Sequence, residues 1–299
     1  LHSVLKRHTD NFEAPLPWLT DLPVIGQEGV PYPEPIWGTT PVRNEQERIK
    51  QTGYYGAMRL NIADPLKVIL GGRIASWKQT GYAWGATSDY GDDNVFIPYV
   101  GALYDLTPNH RVYASYTKIF QPQNLYDRER RLLDPLDGNA YEIGLKSSFF
   151  GGALQTSVAL FRIEQDNVGQ MDGPQIIVDG LLFQPYRAAA GVVSKGFELE
   201  ATGQPMPGWN VNASYSQFKA EDADDVPANT DQPRKLLKIF TTYDLGGALD
   251  GLTVGGGINY RSKAYSDGAN PVTGAAFRFQ QDGYTLVALM ARYAVTPQL

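Results

Sequence analysis

Glu198, Glu200 and Glu142 are the residues whose type and spacing come nearest to catalysis. Two carboxylates flanking a sugar bond are the usual machinery of glycoside cleavage. On an extended strand, residues two apart share a face at about 6.5–7 Å, so Glu198 and Glu200 satisfy the geometry. Ion pairs with Arg or Lys on neighbouring strands use the same residues without invoking a reaction, and that use is the expected one. Ser115-Tyr116-Thr117-Lys118 and Ser216-Gln217-Phe218-Lys219 spell a serine–x–x–lysine acyl-transfer motif. That motif needs a helix start and companion motifs, which are missing. His2, His8 and His110 are scattered without metal-ligand spacing. Gly255-Gly256-Gly257 precedes no helix that would cradle a phosphate. The acidic run Glu221, Asp222, Asp224, Asp225 and Asp231 lacks the spacing of a helix-loop-helix calcium site. No catalytic or metal-ligating residue is assigned.

Aromatic and cationic side chains between strand-like segments are more informative. Trp18, Tyr32, Trp37, Tyr82, Trp84, Tyr90, Tyr126, Tyr186, Phe277 and Phe279 lie there, with Arg128, Arg187 and Arg278 nearby. Exposed rings beside guanidinium groups suit a planar or anionic ligand, by stacking and cation–π attraction. Tyr82, Trp84, Tyr126, Tyr186, Arg187 and Phe279 are the expected ligand contacts.

The elements that must position these residues are strands. From Trp209 to Ser216, apolar Trp209, Val211, Ala213 and Tyr215 alternate with Asn210, Asn212, Ser214 and Ser216. Successive strand side chains point to opposite faces, so one face of such a strand needs an apolar medium and the other water. Twelve strand-like stretches fall near 1–8, 47–63, 66–79, 93–106, 110–120, 139–149, 153–166, 192–204, 208–220, 234–246, 251–265 and 281–295. Short turns such as Ala63-Asp64-Pro65 and Phe150-Gly151-Gly152 alternate with long connections near 9–46, 80–92, 121–138, 167–191, 221–233 and 266–280. Membrane barrels show this asymmetry, with short periplasmic turns and long extracellular loops. Soluble sandwiches mix their connection lengths.

Face assignment points the same way. Tyr54, Met58, Leu60 and Ile62, then Leu66, Val68 and Leu70, then Tyr141, Ile143 and Leu145 fall on one face; Arg59, Lys67, Arg73, Glu142, Lys146, Glu198, Glu200, Lys238 and Arg261 fall on the other. Isolated charges buried in a sandwich core are very costly, whereas a barrel lumen is wet. Tyr104 and Tyr243 near the short turns, and Tyr54, Tyr116 and Tyr260 near the loops, fit two aromatic girdles. In Ser157–Ile163 and Thr285–Tyr293 both faces are largely apolar, and alternation leaves the face open.

Composition bounds the rest. The 299 residues are 42% hydrophobic and 19% charged, with 31 Gly, 20 Pro, 18 Tyr and no Cys. Without cysteine there is neither a disulfide nor a thiolate site. A net charge of −6 gives no footprint for nucleic acid.

Specific strings carry a resemblance. Gln51-Thr52-Gly53-Tyr54-Tyr55-Gly56 leading into Ala63-Asp64-Pro65-Leu66-Lys67-Val68, then residues 98–106 and 112–123, Tyr141-Glu142-Ile143-Gly144-Leu145-Lys146, and Gly196-Phe197-Glu198-Leu199-Glu200-Ala201 resemble TonB-dependent outer-membrane ferric siderophore receptors, of the hydroxamate type that takes coprogen or pyoverdine. The resemblance implies an all-β, antiparallel up-and-down transmembrane barrel, about 12 strands of a 22-stranded one. Residues 1–299 would then be a partial barrel domain, without the family's plug domain and terminal strands. It also implies a receptor in the bacterial outer membrane that binds a ferric siderophore at its extracellular loops and imports it with TonB-derived energy. The implied partners are the siderophore, the TonB complex acting through the plug, and outer-membrane lipid. No cofactor is expected, and iron enters only within the siderophore. A barrel hydrolase using the lumen carboxylates, and a structural or adhesive β-protein, are the alternatives.

Overall fold

A computed structural model describes residues 2–12, 39, 41–83, 86–178, 181–189, 191–269 and 273–295. Among the described residues eighteen strands follow one another: β1 (His2–Phe12), β2 (Pro41–Asn61), β3 (Leu66–Ala83), β4 (Ala86–Thr107), β5 (His110–Gln121), β6 (Leu136–Phe149), β7 (Leu154–Asp166), β8 (Val168–Met171), β9 (Ile176–Val178), β10 (Leu181–Phe183), β11 (Tyr186–Ala189), β12 (Val192–Met206), β13 (Trp209–Glu221), β14 (Lys235–Asp244), β15 (Leu252–Arg261), β16 (Ala264–Ala269), β17 (Ala276–Gln281) and β18 (Tyr284–Tyr293). Twelve form one sheet in the order β1-β2-β3-β4-β5-β6-β7-β12-β13-β14-β15-β18. These twelve follow one another across the sheet in chain order, the up-and-down arrangement that alternating apolar strands and short turns predict. The other six pair as β8 with β11, β9 with β10 and β16 with β17, and decorate the long connections. Among the described residues there is no α-helix, only 3-10 turns at Phe150–Gly152 and Gly247–Leu249.

The chain divides into two compact units, residues 1–53 with 75–94, and residues 54–74 with 95–299. In the first, β1 pairs antiparallel with β2 from His2 opposite Thr52 to Asn11 opposite Arg43. Glu47 is buried, accepts from Gln79 Nε2 at 2.8 Å and pairs with Arg7. Trp77 packs edge-on against Tyr90 at 5.6 Å between ring centroids. These strands outrun their sequence expectation. The connections expected at 9–46 and 80–92 are shortened, because β1 runs on to Phe12, β2 starts at Pro41, β3 reaches Ala83 and β4 starts at Ala86. Apolar alternation marks only the part of a strand that needs an apolar medium. Here both faces are polar, and backbone pairing continues without that signature.

In the second unit the register fixes the faces. Directly opposed residues of an antiparallel pair share a side. One side carries, across successive strands, Ala114, Ile143, Leu160 and Phe197, then Leu199, Tyr215, Leu237 and Tyr260, then Ile258 and Val287. The other carries Arg111 opposite Lys146, Lys146 opposite Ser157, Ser157 opposite Glu200, Glu200 opposite Ser214, Ser214 opposite Lys238 and Lys238 opposite Asn259. The expected division of apolar from charged residues therefore holds along β6, β12, β14 and β15. It also resolves the two ambiguous strands: Val158 and Leu160 in β7, and Val287 and Leu289 in β18, join the apolar face, while Phe161, Leu286 and Met290 turn to the polar one.

No second sheet covers the apolar face among the described residues. Ile143 is 57% exposed, Leu160 56%, Val287 68% and Leu289 87%. Contiguous apolar surface on this scale needs a non-aqueous neighbour. Paired rings border it toward the loops, Tyr116 with Tyr141 at 5.4 Å and Phe197 with Tyr215 at 5.7 Å. Toward the short turns lie Tyr104, Tyr243 and its cross-strand neighbour Trp209, whose indole donates to Thr241 Oγ1 at 2.8 Å.

Candidate ligand-binding site

The polar face is a connected network. Asp105 accepts from both Lys67 and Arg111 beside the short turns. Tyr113 lies over Gly144, donates its hydroxyl to Glu142 and takes the Lys146 ammonium over its ring at 5.1 Å. Ser157 Oγ donates to Glu200 at 3.1 Å. Glu142 and Glu200 thus serve as acceptors within a hydrogen-bonded lining, although their partners are the Tyr113 and Ser157 hydroxyls and not the Arg or Lys ion pairs expected from sequence.

At the far end of the strands four connections fold together, those after β5, β7, β13 and β15. The segment after β5 is stitched to the one after β7 by Gln123 Nε2 donating to the Asn167 carbonyl at 2.8 Å, Tyr186 N–H to the Tyr126 carbonyl at 2.8 Å, and Arg128 Nε to Asp172 Oδ2 at 2.7 Å. A small apolar cluster of Val168, Ala189, Val192 and Ala228, backed by Leu136, is buried beneath. The acidic run caps itself: Asp222 Oδ1 accepts from the N–H groups of Asp224 and Val226, both at 3.0 Å. Such a side chain to backbone turn explains its composition. The last is the β16–β17 hairpin, tied to the β13–β14 connection by Tyr265 N–H donating to the Thr230 carbonyl at 2.8 Å.

Between them opens a cleft of about 770 Å³, with Met171, Tyr186, Asp231, Tyr265, Asp267 and Arg278 in its walls. The size lies in the usual range for small-ligand sites, about 300–1,000 Å³. Arg278 is its electrostatic centre. It forms a two-point salt bridge to Asp267, at 2.6 and 2.8 Å, and its guanidinium lies 4.0 Å from the Tyr265 ring centroid. Hydrogen bonding to Arg278 holds the Asp267 carboxyl below its ordinary range, and the same bond raises Arg278. The walls thus combine two tyrosine faces, a thioether and an oriented cation, which is equipment for binding.

Of the residues expected to meet a ligand, Tyr186 lines this cleft. Arg187, next to it on β11, donates to Gln170 Oε1 at 2.9 Å. Tyr126 is buried, its backbone bridged to Leu132. Phe279 is 73% exposed on β17, on the side of the hairpin opposite Arg278. Tyr82 lies in β3 within the other unit and is exposed. Trp84, with Trp18, Tyr32 and Trp37, lies outside the described residues. Met171, Asp231 and Tyr265 were not singled out as ligand contacts in sequence, for they belong to three separate segments and only the fold makes them neighbours. A signal existed at Tyr265 alone, an aromatic at the end of the strand-like stretch 251–265 and two residues from the acid Asp267.

The sequence profile of the TonB dependent receptor-like β-barrel family matches residues 9–299. The chain belongs to this family. Among similar members of the TonB-dependent receptor family, the ferripyoverdine receptor of Pseudomonas aeruginosa is 37% identical over 270 residues, covering 89% of this chain and 32% of that protein. The crystal structure of the P. aeruginosa receptor bound to ferripyoverdine superposes with a TM-score of 0.75 at 36% identity, over 89% of this chain and 35% of that one. The alcaligin outer-membrane receptor of Bordetella pertussis gives a TM-score of 0.67 at 41% identity, over 85% and 42%. The chain spans about a third of the length of the curated relatives it matches. Its twelve-stranded sheet is that of a TonB-dependent receptor barrel, and the solvent of its apolar face is the outer membrane.

Proposed function

We propose that the complete receptor captures a ferric siderophore at its extracellular loops and imports it through the barrel, driven by TonB. The carrying observation is the loop-end cleft in which Arg278, stacked on Tyr265, stands opposite Tyr186 and Met171, above a hydrogen-bonded polar lining. A ferric hydroxamate chelate presents oxygen-rich, polarisable faces that suit aromatic rings and a fixed cation. Tyr186, Arg187, Tyr265 and Arg278 are assigned as contacts. Tyr82, Trp84 and Phe279 are further aromatic contacts by residue type, and Tyr126 supports the strand that carries Tyr186. Iron is cargo within the chelate and not a resident ion. The named relatives support this reading, being receptors for ferripyoverdine and alcaligin. The hydrolase alternative is not favoured, since the family is one of receptors.

The test is uptake of radio-iron as ferric hydroxamate and ferric catecholate chelates by cells expressing only the full-length receptor. Hydroxamate-dependent uptake that requires TonB is expected, with Arg278→Ala lowering chelate affinity about tenfold, or 1.4 kcal/mol. Absence of binding for every ferric chelate tried sinks the proposal.

A further inference from the structure

The register that sorts the sheet into two faces also assembles a line of cations on the lipid-facing side. Arg162 of β7 is directly opposite Lys195 of β12, and Lys195 directly opposite Lys219 of β13. Lys235 of β14 is opposite Gln217, two residues from Lys219 and on the same face. All four share the side of Leu160, Phe197, Tyr215 and Leu237 and lie nearer the loops than these apolar residues, by one same-face step or, for Lys219, two. All four are exposed.

Directly opposed strand residues have Cβ atoms about 4.5–5.5 Å apart, and like charges there repel. Three cations in successive opposed positions therefore favour a shared counter-anion. The strands supply part of one: Glu164 pairs with Arg162 at 2.8 Å and Glu221 with Lys219 at 2.5 Å. Among the described ion pairs none involves Lys195 or Lys235. Beside Lys219 and Lys235 lies a recess of about 360 Å³ that Arg234 and Lys263 also line, with Glu221 as its single carboxylate. Arg234 is already fixed, its guanidinium 4.8 Å from the Phe218 ring centroid and donating to the Ala228 carbonyl.

We infer that Arg162, Lys195, Lys219 and Lys235, with the recess beside Lys263, form a binding site for phosphorylated lipid headgroups of the outer leaflet. The position selects the occupant. Acyl chains lie against Leu160 and Phe197, so an anion meeting these cations at the end of that apolar band is the headgroup of the same lipid. Basic clusters at a membrane surface attract anionic headgroups in this way. The site is distinct from the loop-end cleft and independent of which chelate is carried.

The experiment measures lipid retention by the full-length receptor, reconstituted in phosphatidylcholine discs containing a bis-phosphorylated glycolipid or its dephosphorylated counterpart. Retention is read by mass spectrometry of the purified protein. The native receptor should hold the phosphorylated form preferentially. Each Lys→Gln change in K195Q, K219Q and K235Q should weaken retention about fivefold, with excess inorganic phosphate failing to displace the lipid. Equal retention of the two lipids by the native receptor overturns the proposal even if the triple variant fails to assemble. So does unchanged retention in a folded triple variant, or full displacement by inorganic phosphate, which would make this a phosphate site. Iron uptake is not read, so failure here is separable from failure of the siderophore reading.

Discussion

The strands from β5 to β15 and the connections above them are built on opposite rules. In the strands backbone pairing is continuous over long stretches, with register unbroken from Leu136–Gln121 to Ser147–His110, and most apolar side chains face away from the protein. In the connections, backbone groups are satisfied one at a time by side chains such as Asp222, Gln123 and Asn167, and apolar residues such as Val168 and Ala228 turn inward. The sheet borrows its apolar medium from the membrane. The connections must make their own, with only a few buried residues to do it. Stability in the first region is thus tied to lipid, and in the second to a handful of packed side chains.

The largest test of that contrast places a charge on each face of β7. Leu160→Arg should lose about 2–4 kcal/mol of barrel stability near the middle of the bilayer, measured by urea unfolding in phospholipid vesicles. Ser157→Lys, on the polar side beside Glu200, should stay within about 0.5 kcal/mol. Equal losses would mean that both faces have the same solvent. Next is Gly144→Val, whose Cβ would come within 2.5 Å of the Tyr113 ring. Displacing that ring breaks its bond to Glu142, with an expected loss of about 1–3 kcal/mol in the same assay. Val168→Ala should remove about 2 kcal/mol or less, and should act locally. Faster protease nicking near residues 167–191, with the urea transition of the barrel unmoved, is the expected result.

The smallest effect concerns pH. The folded carboxyl of Asp267 titrates below its ordinary value because Arg278 bonds to it. Its contribution to the hairpin is therefore present above the ordinary carboxylate range and is lost as pH falls through the depressed value. Asp267→Asn should flatten the acid-side change in Tyr265 fluorescence, leave the neutral-pH signal of the barrel intact, and free the Arg278 guanidinium. A variant with the same acid response as the native protein would show that this pair does not hold the hairpin.

Much of the strand framework was legible in the chain because a period of two is imposed by backbone geometry and survives any tertiary context. Trp209–Ser216 reads as a half-lipid, half-water strand by itself. Two things blurred that signal. Where strands leave the apolar medium, as in β2 around Glu47 and β3 around Gln79, polar residues occupy both faces and the strand is longer than it looks. Where both faces are apolar, as around Leu160 and Leu289, only pairing with a neighbour of known face decides the side. The loop aromatics were legible by type but not by surroundings. Tyr126 and Tyr186 look alike in sequence, yet one is buried and the other lines the cleft.

What the residues determined by themselves is the twelve strands of the sheet, their up-and-down order and, where apolar and polar residues alternate, the separation of greasy from wet faces, since these follow from local alternation and turn length. The cleft of Met171, Tyr186, Tyr265 and Arg278, and the line of Arg162, Lys195 and Lys219, were decided only by the tertiary structure. Their members are separated by up to 107 residues, from Met171 to Arg278, and no local preference specifies a neighbour at that distance. Cross-strand register and the packing of one connection on another set those contacts.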